Sequence, residues 1–436
     1  QACAQCGATE LTRETDVLDT WFSSALWPFA TFGWPDQTED LAYFYPTDVL
    51  STARDIIFLW VARMVMMGLE FMDDIPFDDV YIHSVIQAPD GRRMSKSLGT
   101  GIDPLEMIDE HGADATRFGL LLMSSTQDVR FSEEKIAMGR GFANKLWNAA
   151  RFVLLGSEGY EAERSEADQV DRWIASRFQR CLGAVEAAVA EYDFTAAVDA
   201  LYHFVWDEFC DWYLELVKVR LYGEDEVQKA QAAAHARWML DQIVRLLHPF
   251  MPFVTEEIAE QYGAAPLLTQ DHPRHEEAHL DPQAEKAIGA LQAAVDALRR
   301  FRAEAEIAPG KVLDAVFVGD AAGAEARYAP YAGAFRSLAR TAVDFGGDPA
   351  DDATVVLVPG GRIEVAAAVD RAEEIARLEQ QLAKAEGEVK RGEAKLGNDK
   401  FVNKAPEHIV AKERDKLAAH VAERDGLAAR LAQLRG

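Results

Sequence analysis

A glycine-flanked segment, GRRMSKSLGTGIDPLEM over residues 91–107, contains the side chains best suited to chemistry. Lys96 lies between Ser95 and Ser97, and glycines at positions 91, 99 and 101 allow the backbone to change conformation. A flexible loop that offers a cation and backbone N–H groups can stabilise charge that develops on a polyphosphate. The alternative for an isolated Ser-Lys-Ser is a solvated surface turn.

The elements around this loop indicate an α/β layer followed by a helix bundle. Over residues 16–132, apolar runs alternate with Gly, Pro and Asp, and VYIHSVI (80–86) predicts a buried strand. DIIFLWVARMVMMGL (55–69) predicts an apolar helix. Residues 133–280 predict a helix bundle because they contain three long amphipathic runs, at 172–192, 195–222 and 234–262.

The last third of the chain combines a small α/β region with two long helices. A helix at 283–306 and strand-like runs at 312–318, 354–359 and 362–366 predict a small α/β junction over 281–366. In residues 367–436, apolar positions spaced three and four apart are interrupted near Gly397–Ala405. This spacing predicts an antiparallel coiled-coil hairpin.

Composition excludes several classes of protein. The chain has 436 residues, 49% of them hydrophobic, with a formal net charge of −28 and four cysteines. No run reaches the roughly 18 apolar residues of a membrane-spanning helix, so we expect no membrane association. The few cysteines predict a reducing, cytoplasmic location. The negative charge alone argues against nucleic acid, yet residues 371–436 hold 14 Lys and Arg against 12 Asp and Glu, which leaves a local basic surface open. The start at Gln1 predicts a chain cut from a longer one.

The segment Met94–Ser97 resembles the KMSKS signature of class I aminoacyl-tRNA synthetases, with Arg93 in place of the first lysine. DVLDTWFSSALWPFATFGWP (16–35) and the run at 55–69 resemble the valyl enzymes, in the subgroup that also contains the isoleucine and leucine enzymes. The similarity extends to DKFVNKAPEHIVAKER (399–414). It implies the second half of a Rossmann-like catalytic domain over 16–132, then an anticodon-binding bundle, the small junction and a tRNA-binding arm.

The resemblance also implies the reaction and the roles of residues. ATP and valine would give valyl-adenylate and pyrophosphate, and the 2′-hydroxyl of the terminal adenosine of the valine tRNA would then attack the carbonyl, with Mg²⁺ accompanying ATP. Catalytic roles fall on Ser95, Lys96 and Ser97, and ATP contacts on Thr52, Asp55, His83, Met94 and Lys96. Trp21 and Trp60 would wall the amino-acid pocket, and Ile56 would limit its depth. Departures from the family pattern are Ala53 and Ser84, where glycine is usual.

One half of the family's active site has no counterpart in the sequence. No His-x-Gly-His motif occurs in residues 1–436, and no segment resembles an editing domain. Because activation needs groups on both sides of the phosphates, we expect this chain alone not to activate valine. Two alternatives stay open: a tRNA-binding module without catalysis, and an isoleucyl or leucyl ligase.

Two surfaces are expected to bind tRNA. The run from 136 to 156 has no carboxylate, and its polar side would present an exposed aromatic beside amide and cationic groups, as base stacking requires. The residues are Arg140, Asn144, Lys145, Asn148, Arg151 and Phe152. The alternative is a solvated helix face. On the terminal hairpin, cations that could hold a phosphate backbone are Lys390, Arg391, Lys395, Lys400 and Lys404. A hairpin that only solubilises or dimerises is the alternative there, although we expect a monomer.

Cys3 and Cys6, followed by Gly7, resemble half of a zinc knuckle within residues 1–15. Zn²⁺ in structural sites takes four ligands. We therefore expect the half site to hold no metal by itself, and Zn²⁺ only in a longer parent protein.

Overall fold

The structure is a computed structural model of the chain. It describes residues 2–12, 15–17, 19–95, 99–123, 127–160, 162–165, 167–350, 353–366 and 371–397, and helical residues between 413 and 432. Two compact units, Gln1–Ala284 and Glu285–Gly436, divide the chain. In the part of the chain that is described, no helix is both long enough and apolar enough to cross a membrane.

The first unit begins with short helices and a parallel pair of strands. Its elements are α1 (Thr20–Ala25), α2 (Trp27–Ala30), α3 (Glu39–Phe44), β1 (Thr47–Ala53), a 3₁₀ turn (Arg54–Ile56), a π-helical turn (Ile57–Val61), α4 (Ala62–Phe71) and β2 (Phe77–His83). Strands β1 and β2 are parallel, and Ala53 pairs with His83. Leu50, Val61 and Met64 form a small core with the aromatic ring of Phe77. The carboxyl ends of both strands therefore lie side by side.

Two elements of this layer differ from their predictions. The helix expected at 55–69 is confirmed, but it begins with the 3₁₀ and π-helical turns, and Phe58 on its outer side is 83% exposed. The buried strand expected at 80–86 is wrong in position and burial, because β2 ends at His83 and Val80 is 38% exposed. The physical reason is that β1 and β2 form a sheet of two strands, which has too few neighbours to cover both faces.

Short elements connect this layer to the bundle. They are β3 (Ile86–Gln87), α5 (Pro104–His111), α6 (Ala113–Leu121) and β4 (Val129–Arg130). The Asp103 side chain accepts a hydrogen bond from the Leu105 N–H, and Pro104 occupies the first turn, so the local sequence starts α5 at this point.

Long helices make up the rest of the first unit. They are α7 (Glu133–Gly156), α8 (Gln169–Ala190), α9 (Phe194–His203), a π-helical segment (Phe204–Tyr213), α10 (Leu214–Leu221), α11 (Glu226–Leu247) and α12 (Pro252–Gln261). The three amphipathic runs are confirmed as helices, and the third breaks between α11 and α12. Pro252 begins α12, where its missing N–H is tolerated.

Helix α6 holds the α/β layer against the bundle. A Cβ on Gly119 would lie 2.6 Å from the Cα of Ile136 in α7, so this close approach requires glycine. The buried carboxylate of Asp114 accepts hydrogen bonds from the N–H groups of Phe253 (3.2 Å) and Val254 (2.6 Å). Helix α12 has no side-chain cap of its own, so Asp114 supplies one from another element.

The second unit contains a four-stranded sheet and long helices. Its elements are most of α13 (Pro282–Glu304), β5 (Leu313–Gly319), α14 (Ala332–Leu338), β6 (Thr341–Asp344), β7 (Thr354–Val358), β8 (Gly361–Val365) and α15 (Arg371–Leu396). The strand order is β6-β5-β8-β7, with only β5 and β6 parallel. The three predicted strands are confirmed, whereas β6 and α14 are additional. Lys395 on α15 forms an ion pair of 2.9 Å with Glu413 in the helical segment 413–418. The connection at 398–412 lies outside the described residues, and the hairpin stays a prediction.

Candidate functional site

A cleft of about 490 Å³ opens between α1, α2 and the turns that follow β1. Its lining, here called the tryptophan cleft, consists of Trp21, Ser23, Ser24, Trp27, Ile56 and Trp60. The rings of Trp27 and Trp60 have centroids 5.9 Å apart. Trp60 Nε1 donates a hydrogen bond of 3.1 Å to the carbonyl oxygen of Ser24. Flat apolar walls with a few polar groups are typical of sites for small ligands.

Local sequence explains why these side chains converge. The Asp19 carboxylate accepts from the Trp21 N–H at 3.1 Å and starts α1, and Pro28 in the first turn of α2 lets a second helix begin at once. Trp60 lies within the π-helical turn Ile57–Val61, which has one residue more per hydrogen-bonded turn than an α-helix. Such turns are frequent at functional sites.

Three side chains predicted to form the amino-acid pocket, Trp21, Ile56 and Trp60, lie together in this cleft. Sequence reasoning missed Trp27. The sequence did contain a signal for it, because Pro28 is typical of the first turn of a helix. Helix α2 begins at Trp27, six residues after Trp21, so the chain can turn and bring both rings to the cleft.

Three of the five residues expected to contact ATP, namely Thr52, Asp55 and His83, lie at the carboxyl ends of β1 and β2. Thr52 is 3% exposed, and its hydroxyl has no hydrogen-bond partner among the described residues. His83 is exposed, with Nδ1 2.9 Å from the carbonyl oxygen of Ser84. Asp55 follows two residues after β1 ends. Ligands of parallel α/β sheets bind at this edge.

An ion pair that the sequence did not indicate reinforces the same edge. Arg54 Nη1 donates to Asp128 Oδ1 at 2.8 Å, and the same carboxylate oxygen accepts from the Val85 N–H at 3.1 Å. These hydrogen bonds, with that from Arg54 the stronger, lower the pKa of Asp128. Asp128, just before β4, therefore connects the end of β1 with the segment between β2 and β3.

The base of the signature loop lies next to the cleft. Arg93 Nη1 is 3.7 Å from Asp55 Oδ2, and Asp55 directly precedes Ile56 of the cleft. Thr100 closes the loop, since its hydroxyl accepts from the Ser95 N–H at 3.0 Å and donates to the Arg93 carbonyl at 3.2 Å. Met94 is half-buried. Lys96 and Ser97 lie outside the described residues.

The polar face of α7 agrees with the predicted periodicity but differs in its contacts. The apolar side is buried as expected, at Phe142, Leu146, Ala149, Ala150 and Val153. On the other side, exposed residues are Arg140, Asn144, Asn148 and Arg151. Lys145 Nζ lies 2.6 Å from Asp211 Oδ1 and 3.8 Å from the centroid of the Trp206 ring, so its charge is already engaged. The expectation of an exposed Phe152 is wrong: the ring is half-buried, with Tyr222 at 6.5 Å and Lys218 Nζ at 5.3 Å.

A groove beside this face combines cations and aromatic rings. It has a volume of about 540 Å³, and we call it the α7 groove. Its lining includes Trp147, Arg151, Arg237 and Tyr262. Trp147 is 37% exposed. Sequence reasoning found only Arg151. Trp147 lies on the same exposed side of α7 but was not among the predicted residues, and Arg237 and Tyr262 come from α11 and the end of α12.

Three of the five cations expected on the tRNA-binding arm lie among the residues that the structure describes. Lys390, Arg391 and Lys395 are exposed on α15, where Arg391 pairs with Glu388 and Lys395 with the acidic residue at 413. Lys400 and Lys404 lie outside the described residues.

Cys3 and Cys6 lie in a tight turn in which the Gly7 N–H donates to the Cys3 carbonyl at 2.8 Å. Hydrogen bonds from the backbone N–H groups of Cys6 and Gln5 lower the pKa of the Cys3 thiol. Two cysteines in one such turn fit one half of a zinc knuckle, which needs two further ligands. Cys181 has the opposite environment, since burial raises the pKa of its thiol to about 12.

Comparison with known proteins covers most of the chain. Residues 1–132 match a model described as tRNA synthetases class I (I, L, M and V), residues 171–317 the anticodon-binding domain of tRNA ligase, and residues 370–435 the valyl tRNA synthetase tRNA binding arm. The Valine--tRNA ligase of Syntrophotalea carbinolica is 44% identical over 96% of this chain and 48% of its own length. For Bacillus subtilis the identity is 40% over 97% of this chain and 50% of the relative.

A solved structure with a similar fold is the LeuRS of Agrobacterium radiobacter, determined as a ternary complex with tRNA and LeuAMS. It has a TM-score of 0.54 and 20% identity over 73% of this chain and 37% of its own. The chain spans about half the length of the curated relatives it matches. From these matches we conclude that the chain belongs to the class I tRNA synthetases of the isoleucine, leucine, methionine and valine group.

Proposed function

We propose that this chain provides the amino-acid pocket, the signature loop and the tRNA-binding parts of a valine–tRNA ligase. The observation that carries the proposal is the contact between Arg93 and Asp55. Asp55 directly precedes Ile56 of the tryptophan cleft, so the contact supports a position of the loop base beside the cleft. A ligase must hold the amino-acid carboxylate next to the ATP phosphates, and this arrangement suits that requirement. Sequence identity of 40–44% with Valine--tRNA ligases supports valine as the amino acid.

In this proposal the cleft binds the isopropyl group of valine against the rings of Trp21, Trp27 and Trp60, and Ile56 limits the depth available to a longer side chain. Asp55, Thr52 and His83 face the nucleotide at the strand ends, with Met94 beside it. Lys96, flanked by Ser95 and Ser97, neutralises the charge that develops on the phosphates. Mg²⁺ would accompany ATP and stabilise the same phosphate charge.

The chain alone is proposed not to catalyse activation. Its sequence has no His-x-Gly-His motif, so a group that should contact the phosphates from the other side has no counterpart. The consequence is that residues 1–436 would bind valine weakly and would give no valine-dependent exchange between ATP and pyrophosphate.

Transfer RNA is the second proposed ligand. Arg140, Asn144, Asn148 and Arg151 present polar groups along α7, and the α7 groove adds aromatic rings on which bases can stack. The exposed cations of α15 would contact phosphates without reading sequence. The bundle is therefore proposed to recognise the anticodon side, and the arm to add affinity.

A chimera tests the proposal as a whole. The part of a Valine--tRNA ligase relative that this chain does not match is fused before residue 1, and amino-acid-dependent ATP–pyrophosphate exchange is measured. We expect exchange with valine and none above background when Lys96→Ala is introduced. Exchange that prefers isoleucine or leucine, or a folded chimera without exchange, would contradict the proposal.

The tRNA-binding module is the second candidate function, and the missing His-x-Gly-His motif favours it for the isolated chain. It is tested on the isolated chain by measuring affinity for the valine tRNA as a function of salt. Removing residues 367–436 should weaken binding and flatten the salt dependence. An unchanged slope would exclude the arm as a phosphate contact.

A further inference from the structure

Three potential metal ligands meet where α5 ends and α7 begins. Glu110 and His111 are the last two residues of α5, and Glu133 is the first residue of α7. One ligand atom from each lies within 4.8 Å of the other two. The separation between His111 Nε2 and Glu133 Oε1 is 3.8 Å.

The imidazole of His111 is buried, yet its nitrogens make no hydrogen bond to the described residues. The side chain is 9% exposed. Two other histidines in the same unit have partners: Nδ1 of His203 lies 2.7 Å from Asp207, and Nδ1 of His248 lies 2.9 Å from the Thr255 hydroxyl. Among the described residues, His235 in the bundle core also has no hydrogen-bond partner on either nitrogen, but it is His111 that lies with two carboxylates close enough to share a metal ion. The unpartnered imidazole and the adjacent carboxylates together indicate a ligand.

An ion pair with Glu133 accounts for this geometry less well. The distance of 3.8 Å exceeds that of a hydrogen bond, and protonation would add a second buried donor at Nδ1 that also needs an acceptor. A metal ion instead binds the neutral imidazole directly through one nitrogen.

We propose that Glu110, His111 and Glu133 form a site for a divalent transition metal, with Zn²⁺ as the best match. One imidazole and two carboxylates are ligands that Zn²⁺ accepts, whereas Mg²⁺ prefers oxygen alone. Tetrahedral Zn²⁺ separates its ligand atoms by about 3.4 Å. The Glu133 side chain is 65% exposed, so a change of rotamer closes the small remaining gap, and the fourth position is left to water.

The site would join two parts of the first unit. Helix α5 begins at Pro104, just after the signature loop, and α7 carries the polar face of the bundle. Helix dipoles favour the arrangement at both helix ends, because the metal ion would lie at the C-terminus of α5 and the Glu133 carboxylate lies at the N-terminus of α7. Arg140 is the nearby cation, and its guanidinium donates to the carbonyl oxygen of Glu110 at 3.5 Å. Metal binding would hold α5 to α7 in the native state.

The test uses the full chain with Cys3→Ser and Cys6→Ser, which removes the thiol pair as a competing site. Zn²⁺ binding is measured by calorimetry, and Co²⁺ binding by its visible absorption. We expect one metal ion per chain and a Co²⁺ spectrum without thiolate charge-transfer bands. His111→Asn and Glu133→Gln should each weaken binding by roughly tenfold or more.

His203→Asn is the matched control, because His203 also lies beside two carboxylates, Asp199 and Asp207, but is exposed. It should leave Zn²⁺ affinity unchanged. A second readout guards against misfolding: Zn²⁺ should raise the melting temperature of the chain with Cys3→Ser and Cys6→Ser. It should also shift the ¹⁵N resonances of His111, and both effects should disappear in the folded His111→Asn variant. Absence of binding, or equal binding by His111→Asn, would overturn the proposal and leave a simple His–Glu ion pair. Neither result depends on ligase activity.

Discussion

The tryptophan cleft and the polar face of α7 are both candidate binding surfaces in the sequence, but their side chains are arranged differently. In the cleft, Trp21, Ile56 and Trp60 come from separate elements and face one space. On α7 the candidates share one helix, yet Lys145 is engaged by Asp211 and Trp206. Arg151 instead lines the α7 groove. Periodicity identifies the side of a helix that is exposed, but it does not show which exposed charges are already paired.

The largest expected effect is in the cleft. Trp60→Ala removes one wall and the hydrogen bond to the Ser24 carbonyl, so affinity for valine should fall more than tenfold. Because the ring is partly buried, the free energy of unfolding should also fall by about 2 kcal/mol. Ligand-observed NMR and urea unfolding measure the two effects. Trp147→Ala, in the α7 groove, is the control for valine binding, and an equal loss in that variant would contradict a specific role for the cleft.

The bundle core should respond to pH through His235. Its side chain is fully buried, and burial, with smaller contributions from Arg164 and Arg220, lowers its pKa to about 3. The folded state therefore binds fewer protons than the unfolded state, whose His titrates near pH 6.5. The contribution of neutral His235 to the free energy of unfolding is fully present above pH 6.5 and is lost as the pH falls toward 3. By pH 5 the loss should be about 2 kcal/mol.

Urea unfolding at pH 7 and pH 5 measures this loss. All nine tryptophans lie between residues 21 and 238, so their fluorescence reports on the first unit alone. Between pH 7 and pH 5, the change in the free energy of unfolding should be smaller by about 2 kcal/mol in the His235→Leu variant. An equal pH dependence in the variant would mean that His235 does not remain neutral in the fold.

The contact between the α/β layer and the bundle should depend on Asp114. Asp114→Ala leaves the N–H groups of Phe253 and Val254 without their acceptor, and we expect a loss of about 2 kcal/mol in the free energy of unfolding. Asp114→Asn should retain part of this stability. Asp109→Ala on the exposed side of α5 is the control, and a comparable loss there would indicate that charge rather than capping matters.

The smallest effects separate two residues of α7. Lys145→Ala should cost about 1 kcal/mol of stability, because it loses an ion pair and a cation–π contact, and should change tRNA affinity little. Arg151→Ala should leave stability unchanged and weaken tRNA binding severalfold, with the salt slope reduced by about one. Filter binding at several salt concentrations measures this, and the reverse pattern would show that the groove is not the RNA contact.

Much of the fold could be predicted because the helices are long and amphipathic. The α8 and α11 runs extend over many turns, so their periodicity is clear. Strand β6 has only four residues and carries too little pattern to be recognised. The burial of β2 was overestimated, because an apolar sequence does not reveal that its sheet has only two strands.

The candidate site shows the same limit. Trp21, Ile56 and Trp60 could be named from two characteristic strings, whereas Trp27 required knowledge of the turn at Pro28. Asp211 lies 66 residues from Lys145, so no local pattern could indicate their contact. Pairings between distant elements are set by tertiary packing, and sequence periodicity is silent about them.

The central claim is that the tryptophan cleft accepts an isopropyl group. Saturation-transfer difference NMR on the intact chain tests it most directly, with valine and isoleucine at equal concentrations and Trp60→Ala as the comparison. We expect saturation of the valine methyl protons, a weaker signal from isoleucine and loss of both signals in the variant. Equal signals from the two amino acids, or a valine signal that survives Trp60→Ala, would contradict it.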